Sequence, residues 1–101
     1  MPRAYLQVRS EVAESLRGRF EDWYRLEHVP LALEMYGATA ARRFWSVTTP
    51  GVHYVMFEFP DLATAQERVS GRVLQFMIED FNVAWPEGVT RVRELLEDAA
   101  E

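Results

Sequence analysis

Glu27 and His28 are the side chains of this sequence that are best suited to acid–base chemistry. Helical periodicity places Glu27 on the same apolar arc as Phe20 and Trp23, where an unpaired charge is unfavourable. His28 follows beside Tyr24, at the edge of that arc. We predict that His28 acts as general acid or base and that Glu27 orients it or tunes its pKa. The alternative is structural, with Glu27 paired to an arginine of the sheet and His28 a satisfied group.

Two adjacent arginines on the second predicted strand could reach that carboxylate. Arg42 and Arg43 point to opposite faces, so one of them meets Glu27 or an anionic substrate, and the sequence leaves open which one. Pairing with a carboxylate is the favoured interpretation of such an arginine. In the catalytic hypothesis, Arg43 holds a substrate oxyanion. Glu21 is expected on the solvent side of the helix, in an ion pair with Arg25.

Aromatic side chains make up 13% of the residues, enough for both a core and a pocket. Most of them are expected in the core, where they bury large areas, but small-molecule sites are also lined mainly by apolar groups. His53 stands beside a turn at the start of the third predicted strand and is expected at the surface. The side chains predicted to contact a substrate are Trp23, Tyr24, Arg43, Trp45, Tyr54 and Phe76.

Metal, nucleotide and thiolate chemistry find no support in the sequence. The chain has no cysteine, which excludes disulfides, thiolate catalysis and cysteine-ligated zinc. It has no glycine-rich phosphate-binding motif and no nucleophile elbow. We predict no metal and no cofactor, because the available ligands lack the spacing of a metal site. Those ligands are Glu27, His28, His53, Glu79 and Asp80.

Composition predicts a single domain over residues 1–101. Of the 101 residues, 49% are hydrophobic, which is enough for one core and too few for two domains. The net charge of −5 disfavours nucleic acid and anionic membranes as partners, since both bind mainly to basic surfaces. No apolar run reaches membrane-spanning length and no signal core precedes the first strand, so a cytoplasmic location is expected.

Hydrophobic periodicity predicts an α+β fold with an antiparallel sheet and the element order β-α-β-β-α-β. Ser10 is expected to cap the first helix, Pro30 to kink it and Gly37 to end it. Asp61 is expected to cap the next helix. The predicted strands are 3–9, 39–48, 52–59 and 89–96, the helical stretches are 12–36, 61–69 and 72–82, and residues 98–101 form a tail.

The third predicted strand carries large apolar side chains on both faces, which predicts a dimer. Val52, Tyr54 and Met56 lie on one face, and Phe57 and Phe59 lie on the other. The helices of one chain cover only one face of a four-stranded sheet, and the other face is usually polar. An apolar second face indicates that another sheet packs on it. We therefore predict a homodimer formed by sheet-to-sheet packing.

The segment between Phe20 and Phe44 resembles a known family. It contains F-E-D-W-Y-R-L-E-H-V-P, then Tyr36-Gly37, then A-R-R-F. This is similar to the phrase F-x-x-W-Y-x-x-E-H-x-P, followed by Gly and a strand with Ala-Arg-Arg, in the EthD-like branch of the dimeric α+β barrel superfamily. The resemblance implies ferredoxin-like protomers whose sheets pair into a barrel, with a cavity between sheet and helices. It also implies that His28 and Glu27 correspond to the histidine and the preceding acid of the family motif.

Several functions stay open, because the superfamily includes cofactor-independent oxygenases, lactone isomerases, polyketide cyclases and proteins of unknown function. The first is an enzyme that needs no metal or nucleotide and acts on a hydrophobic metabolite through His28 and Glu27. The second is a non-catalytic protein that holds or shuttles a hydrophobic ligand in the same cavity. The third is a structural dimer whose cavity is filled by the packed side chains of Trp45, Tyr54 and Phe76.

Overall fold

Four antiparallel strands form one sheet, and the helices cover one of its faces. The computed structural model describes residues 2–100. The helical segments are a 3-10 turn Glu14–Leu16, α1 Arg17–Trp23, a π-helix Tyr24–His28, α2 Val29–Tyr36, α3 Leu62–Arg68 and α4 Gly71–Ala84. The strands are β1 Ala4–Val12, β2 Ala40–Trp45, β3 Val52–Phe59 and β4 Val89–Glu97. The predicted α+β fold, its element order and its antiparallel sheet are confirmed.

The strand order β2-β3-β1-β4 places β1 and β3 at the centre of the sheet. Alternation sends every second side chain toward the helices, where Leu6, Val8, Phe57 and Phe59 are at most 5% exposed. The edge strands β2 and β4 are covered less completely, and their helix-facing side chains are half-buried. The core therefore lies over the two central strands, and the more accessible part of the helix-facing side lies at the edges.

The first strand is longer than predicted, and the first helix begins later. Ser10 lies inside β1, which runs to Val12, so the prediction that Ser10 caps a helix was wrong. Ser10 pairs with His53 on one side and with Arg91 on the other. A central strand satisfies its backbone groups through both neighbours, and this ladder outweighs the local preference of serine for a helix cap.

A π-helical turn decides which side chains of the first helical region face the core. The Val29 N–H donates to the Tyr24 carbonyl oxygen, five residues back instead of the usual four. Pro30 lies in the first turn of α2 and has no N–H, so an ordinary α-helical hydrogen bond to the Leu26 carbonyl cannot form. The predicted interruption at Pro30 is confirmed, and it takes the form of a wider turn.

The wider turn rotates the side chains that follow it about the helix axis. His28 comes to face the core and is 6% exposed, and Tyr24 is fully buried. Glu27 is turned toward solvent and is exposed. The prediction that Glu27 lies on the apolar arc was therefore wrong, because it assumed α-helical periodicity across a turn that contains one extra residue.

The other helix ends follow local signals. The Asp61 carboxylate accepts a 2.7 Å hydrogen bond from the Thr64 N–H and caps α3, as predicted. Gly37 ends α2 in the left-handed conformation with a φ of 63°, also as predicted. The predicted tail includes Glu101, which lies outside the described residues. Within residues 2–100, no helix is long and apolar enough to cross a membrane.

Candidate functional site

His28 lies in an aromatic layer between the helices and the sheet. Its ring stacks on that of Trp23, with centroids 4.5 Å apart and an interplanar angle of 21°. The rings of Tyr24 and Phe81 meet it edge-on at 4.9 and 5.7 Å. Its Nδ1 is 3.6 Å from Asp80 Oδ2, which is too far for a hydrogen bond. The carboxylate beside His28 is therefore that of Asp80 on α4, and not that of Glu27.

His53 is fully buried, which corrects the prediction that it lies at the surface. It shares the helix-facing side of β3 with Val55, and its ring lies 4.7 Å from that of Tyr24 and 4.9 Å from that of Trp45. Arg43 Nη1 is 3.2 Å from His53 Nε2. A guanidinium can only donate, so Nε2 accepts and the neutral ring carries its proton on Nδ1. That Nδ1 has no hydrogen-bond partner among the described residues.

Arg43 is the arginine that faces the helices, and Glu21 of α1 holds it. Arg43 Nη1 and Nη2 donate to the Glu21 carboxylate at 2.9 and 2.7 Å, and Trp45 Nε1 donates to it at 2.8 Å. The hydrogen bond from Arg43 is the main cause that lowers the pKa of Glu21 to about 2, against the opposing effect of burial. The predicted Glu21–Arg25 ion pair is present at 3.6 Å. The expectation that Glu21 points to solvent was wrong. Which arginine meets Glu27 was left open by the sequence, and Arg43 meets Glu21 instead.

A row of polar side chains crosses the helix-facing side of the sheet. Ser10 of β1 lies between its cross-strand neighbours, His53 of β3 and Arg91 of β4. Buried polar atoms without a partner are rare, and each of them needs an explanation. A bound ligand would supply partners for the atoms of this layer that lack one within residues 2–100. Those atoms are Ser10 Oγ, Tyr24 OH, His28 Nδ1, His53 Nδ1 and Arg91 Nε.

The two histidines are both neutral at about pH 7. Burial lowers the pKa of His28 to about 3, and the charges of Arg93 and Arg91 add to this effect. Burial likewise lowers the pKa of His53 to about 4, with Arg43 adding to it. The layer therefore offers two neutral imidazoles, which can each donate and accept a hydrogen bond.

Two arginines of β4, which the sequence alone did not single out, also face this layer. Arg91 and Arg93 occupy alternate positions, opposite Ser10 and Val8 of β1. Burial lowers the pKa of Arg91 to about 10, and the neighbouring Arg93 adds to the shift. The period-two pattern of β4 indicated that Arg91 and Arg93 share one face of the sheet, but β4 has apolar groups on both faces. Only the register with β1 shows which face the helices cover.

No family model matches the chain, and no curated protein matches it. Solved structures do match it over its whole length. An EthD family protein from Bacillus halodurans superposes with a TM-score of 0.72 at 15% identity, over 98% of this chain and 100% of that one. A protein of unknown function from Nitrosomonas europaea superposes with a TM-score of 0.66 at 23% identity, over 100% and 93%. A Caulobacter crescentus protein assigned provisionally to the antibiotic biosynthesis monooxygenases gives 0.65 at 12% identity, over 98% and 92%.

This chain has the α+β fold of these solved structures, a four-stranded antiparallel sheet with helices on one face. The predicted resemblance to the EthD-like branch is thereby confirmed for the fold. At these identities the likeness does not carry an activity with it, since one fold hosts many functions.

The helix-facing layer contains only part of the predicted substrate-binding set. Tyr54 lies on the opposite, open face of the sheet, because alternation on β3 separates it from His53. Phe76 is 44% exposed, because the buried side of α4 is formed by Met77 and Phe81. The possibility that Trp45, Tyr54 and Phe76 pack together is therefore excluded. The predicted residues that do surround the layer are Trp23, Tyr24, Arg43 and Trp45.

The open face of the sheet contains a groove of about 450 Å³. Arg42 lines this groove, which shows that it points away from Arg43 and the helices. Tyr5, Phe44 and Met56 form its apolar part. Within residues 2–100, no three histidine, aspartate or glutamate side chains gather as a possible metal-ligand group.

Proposed function

We propose that this chain binds a hydrophobic, aromatic small molecule between its helices and its sheet, and acts on it as a cofactor-independent enzyme of the monooxygenase-like kind. The observation that supports this is the set of buried polar atoms without partners on Ser10, Tyr24, His28 and His53. They lie among aromatic rings, and small-molecule sites combine apolar walls with a few directed polar groups. The likeness to a protein assigned to the antibiotic biosynthesis monooxygenases is consistent with such chemistry.

His28 is the proposed acid–base residue, and Asp80 takes the role that the sequence suggested for Glu27. The Nδ1–Oδ2 distance of 3.6 Å is close enough for a small side-chain rotation to form a hydrogen bond. Catalytic hydrogen bonds often tighten in this way when substrate binds. A bond to Asp80 would keep the proton on Nδ1 and leave Nε2 to take a proton from the substrate. Stacking on Trp23 restricts the orientation of the ring.

The low pKa of His28 selects the kind of substrate that it can deprotonate. An imidazole with a pKa of about 3 is a weak base at neutral pH. A substrate that becomes an enolate or phenolate places a negative charge beside the new imidazolium and raises the pKa of His28. Proton transfer is therefore favoured only when the product is an adjacent anion.

The test compares three variants of matched size. The ligand is first identified by native mass spectrometry of freshly purified protein, and its turnover is then measured in air. We expect His28→Gln and Asp80→Asn to lower kcat by about 100-fold or more, as expected for loss of general acid–base catalysis. Glu27→Gln is the matched control, because Glu27 is exposed, and it should leave kcat unchanged. Unaltered turnover in His28→Gln would refute the proposed role.

A second candidate is a non-catalytic protein that holds the same ligand. The lowered pKa of His28 favours it, because a neutral imidazole forms hydrogen bonds without transferring a proton. In that case native mass spectrometry shows an unmodified ligand that persists in air. His28→Gln then raises the Kd of this ligand, and no turnover is found for the wild-type protein.

We further propose that the open face of the sheet packs on the same face of a second copy. Phe44 and Val92 are 41% and 63% exposed at the two edges of that face, and exposed apolar side chains on a sheet face favour packing against a second sheet. Val92→Glu should dissociate the dimer in sedimentation equilibrium. Val47→Glu is the control, since Val47 is 98% exposed between β2 and β3, outside the sheet. A wild-type protein that is monomeric at micromolar concentration would contradict this assembly.

A further inference from the structure

Arg91 and Arg93 bring two positive charges into the helix–sheet layer without a carboxylate partner. Within residues 2–100 neither makes a salt bridge, although the chain has 16 acidic residues. Both side chains are half-buried. Charges removed from water are normally paired, because desolvation strongly disfavours an isolated one. In contrast, Arg43 in the same layer is fully paired with Glu21.

The neighbours of Arg91 are neutral groups. Its Nη1 donates to Asn82 Oδ1 at 3.1 Å and its Nη2 donates to the Ile78 carbonyl at 3.3 Å. The guanidinium carbon lies 3.8 Å from the centroid of the Phe81 ring, which fixes the plane of the group. These contacts leave the buried Nε–H without a partner within residues 2–100. Arg91 is thus held in a fixed orientation with its Nε–H free.

Arg93 lies two residues further along the same side of β4. The two Cα atoms are therefore roughly 7 Å apart, within reach of one small ligand group. Burial raises the pKa of Tyr36, and the nearby guanidiniums of Arg93 and Arg91 oppose that shift, which places Tyr36 beside the pair. β4 is an edge strand, so a ligand can approach the two arginines from the side of the sheet.

We propose that the ligand of this site is an aromatic anion whose negatively charged oxygen accepts hydrogen bonds from Arg91 Nε and the Arg93 guanidinium. This rests on the proposed function, because the arginines belong to the same layer as His28. The charge of a carboxylate, enolate or phenolate would compensate both guanidiniums, and its ring would pack against Phe81 and Trp23. Bonds between ionised groups are about twice as strong as neutral ones, so the anion should be preferred over an uncharged analogue.

The test uses two aromatic acids, benzoate and naphthoate, and their uncharged amides, benzamide and naphthamide. Proton–nitrogen NMR spectra of the arginine Nε–H groups report the contact directly. We expect the acids, but not the amides, to shift the Arg91 Nε–H resonance to lower field. The acids should bind at least about 10-fold more tightly than the amides. Arg93→Gln should lower the affinity for the acids by about 10-fold, whereas Arg42→Gln on the open face should leave it unchanged.

Two outcomes overturn the inference. One is equal binding of acids and amides, or no binding of the acids at millimolar concentration. The other is acid binding that survives in Arg93→Gln and Arg91→Lys, where lysine retains the charge but lacks the Nε–H. If His28→Gln still impairs turnover of the native ligand in either case, the proposed function stands and only the anion assignment fails. Acid binding that needs both arginines, together with normal turnover in His28→Gln, would instead refute the catalytic role and retain the anion site.

Discussion

Acidification should destabilise this protein through its two histidines, well above the pH at which its carboxylates titrate. In the unfolded chain an imidazole takes up a proton near pH 6.5, whereas the folded protein keeps His28 neutral down to about pH 3 and His53 down to about pH 4. Between these limits the unfolded state binds more protons, so the free energy of unfolding falls as the pH falls. The stabilisation is complete above pH 6.5 and is lost progressively below it.

The size of the effect follows from the pKa values. At about 1.5 pH units below the unfolded pKa, each buried neutral histidine has lowered the free energy of unfolding by about 2 kcal/mol, since one pH unit corresponds to about 1.4 kcal/mol. The two histidines together amount to about 4 kcal/mol at about pH 5, against a total stability of about 5–15 kcal/mol.

Glu21 affects stability in a lower pH range than the histidines. Its pKa falls from 4.5 to about 2 on folding, so its contribution is present above pH 4.5 and lost as the pH falls toward 2.

The measurement is urea unfolding at about pH 7.5 and about pH 5, at one protein concentration because the stability of the proposed dimer would depend on it. His28→Gln and His53→Gln should each remove about half of the pH dependence, and the double variant nearly all of it, since the chain has two histidines. Equal stability of the wild-type protein at the two pH values would refute the burial argument. So would a pH dependence that persists in the double variant.

Four further substitutions probe the framework, each followed by urea unfolding. Gly37→Ala should lower the free energy of unfolding by about 1 kcal/mol or more, because residue 37 has positive φ and a Cβ there would collide with Arg68 Nη1. Unchanged stability would contradict the strained cap. Glu21→Gln should lower the free energy of unfolding by about 1–2 kcal/mol, because Arg43 loses its carboxylate partner in a partly exposed ion pair. An unchanged free energy of unfolding would mean that the pair is not stabilising. Met77→Ala should lower the free energy of unfolding by about 2–4 kcal/mol, and Phe76→Ala by well under half of that, because Met77 is buried and Phe76 is exposed. The reverse order would show that the buried side of α4 is misassigned.

The sequence predicted the order of the strands and helices better than it predicted the positions of the site residues. The alternation in β3, the Asp61 cap and the Gly37 stop are local patterns, and local geometry alone enforces them. The fold therefore followed from periodicity together with the resemblance between Phe20 and Phe44. His28 was expected at the edge of the apolar arc, whereas it is buried, because the helix model that placed it failed within the same turn.

Glu27 and His53 were misplaced for two different physical reasons. Glu27 is exposed because a π turn rotates the helix between Tyr24 and His28, and uniform periodicity cannot reveal such a turn. His53 was assigned to the surface from its position next to a turn. It is buried because the helical layer extends over that end of β3.

From the sequence alone came the α+β order and the two-faced apolar strand, because spacing along the chain encodes them. Tertiary structure alone decided that Glu21 binds Arg43, that Asp80 rather than Glu27 stands beside His28, and that Arg91 and Arg93 face the same layer. The reason is physical: side-chain partners from different elements depend on strand register and helix rotation, and a shift of one residue in either exchanges the buried face for the exposed one.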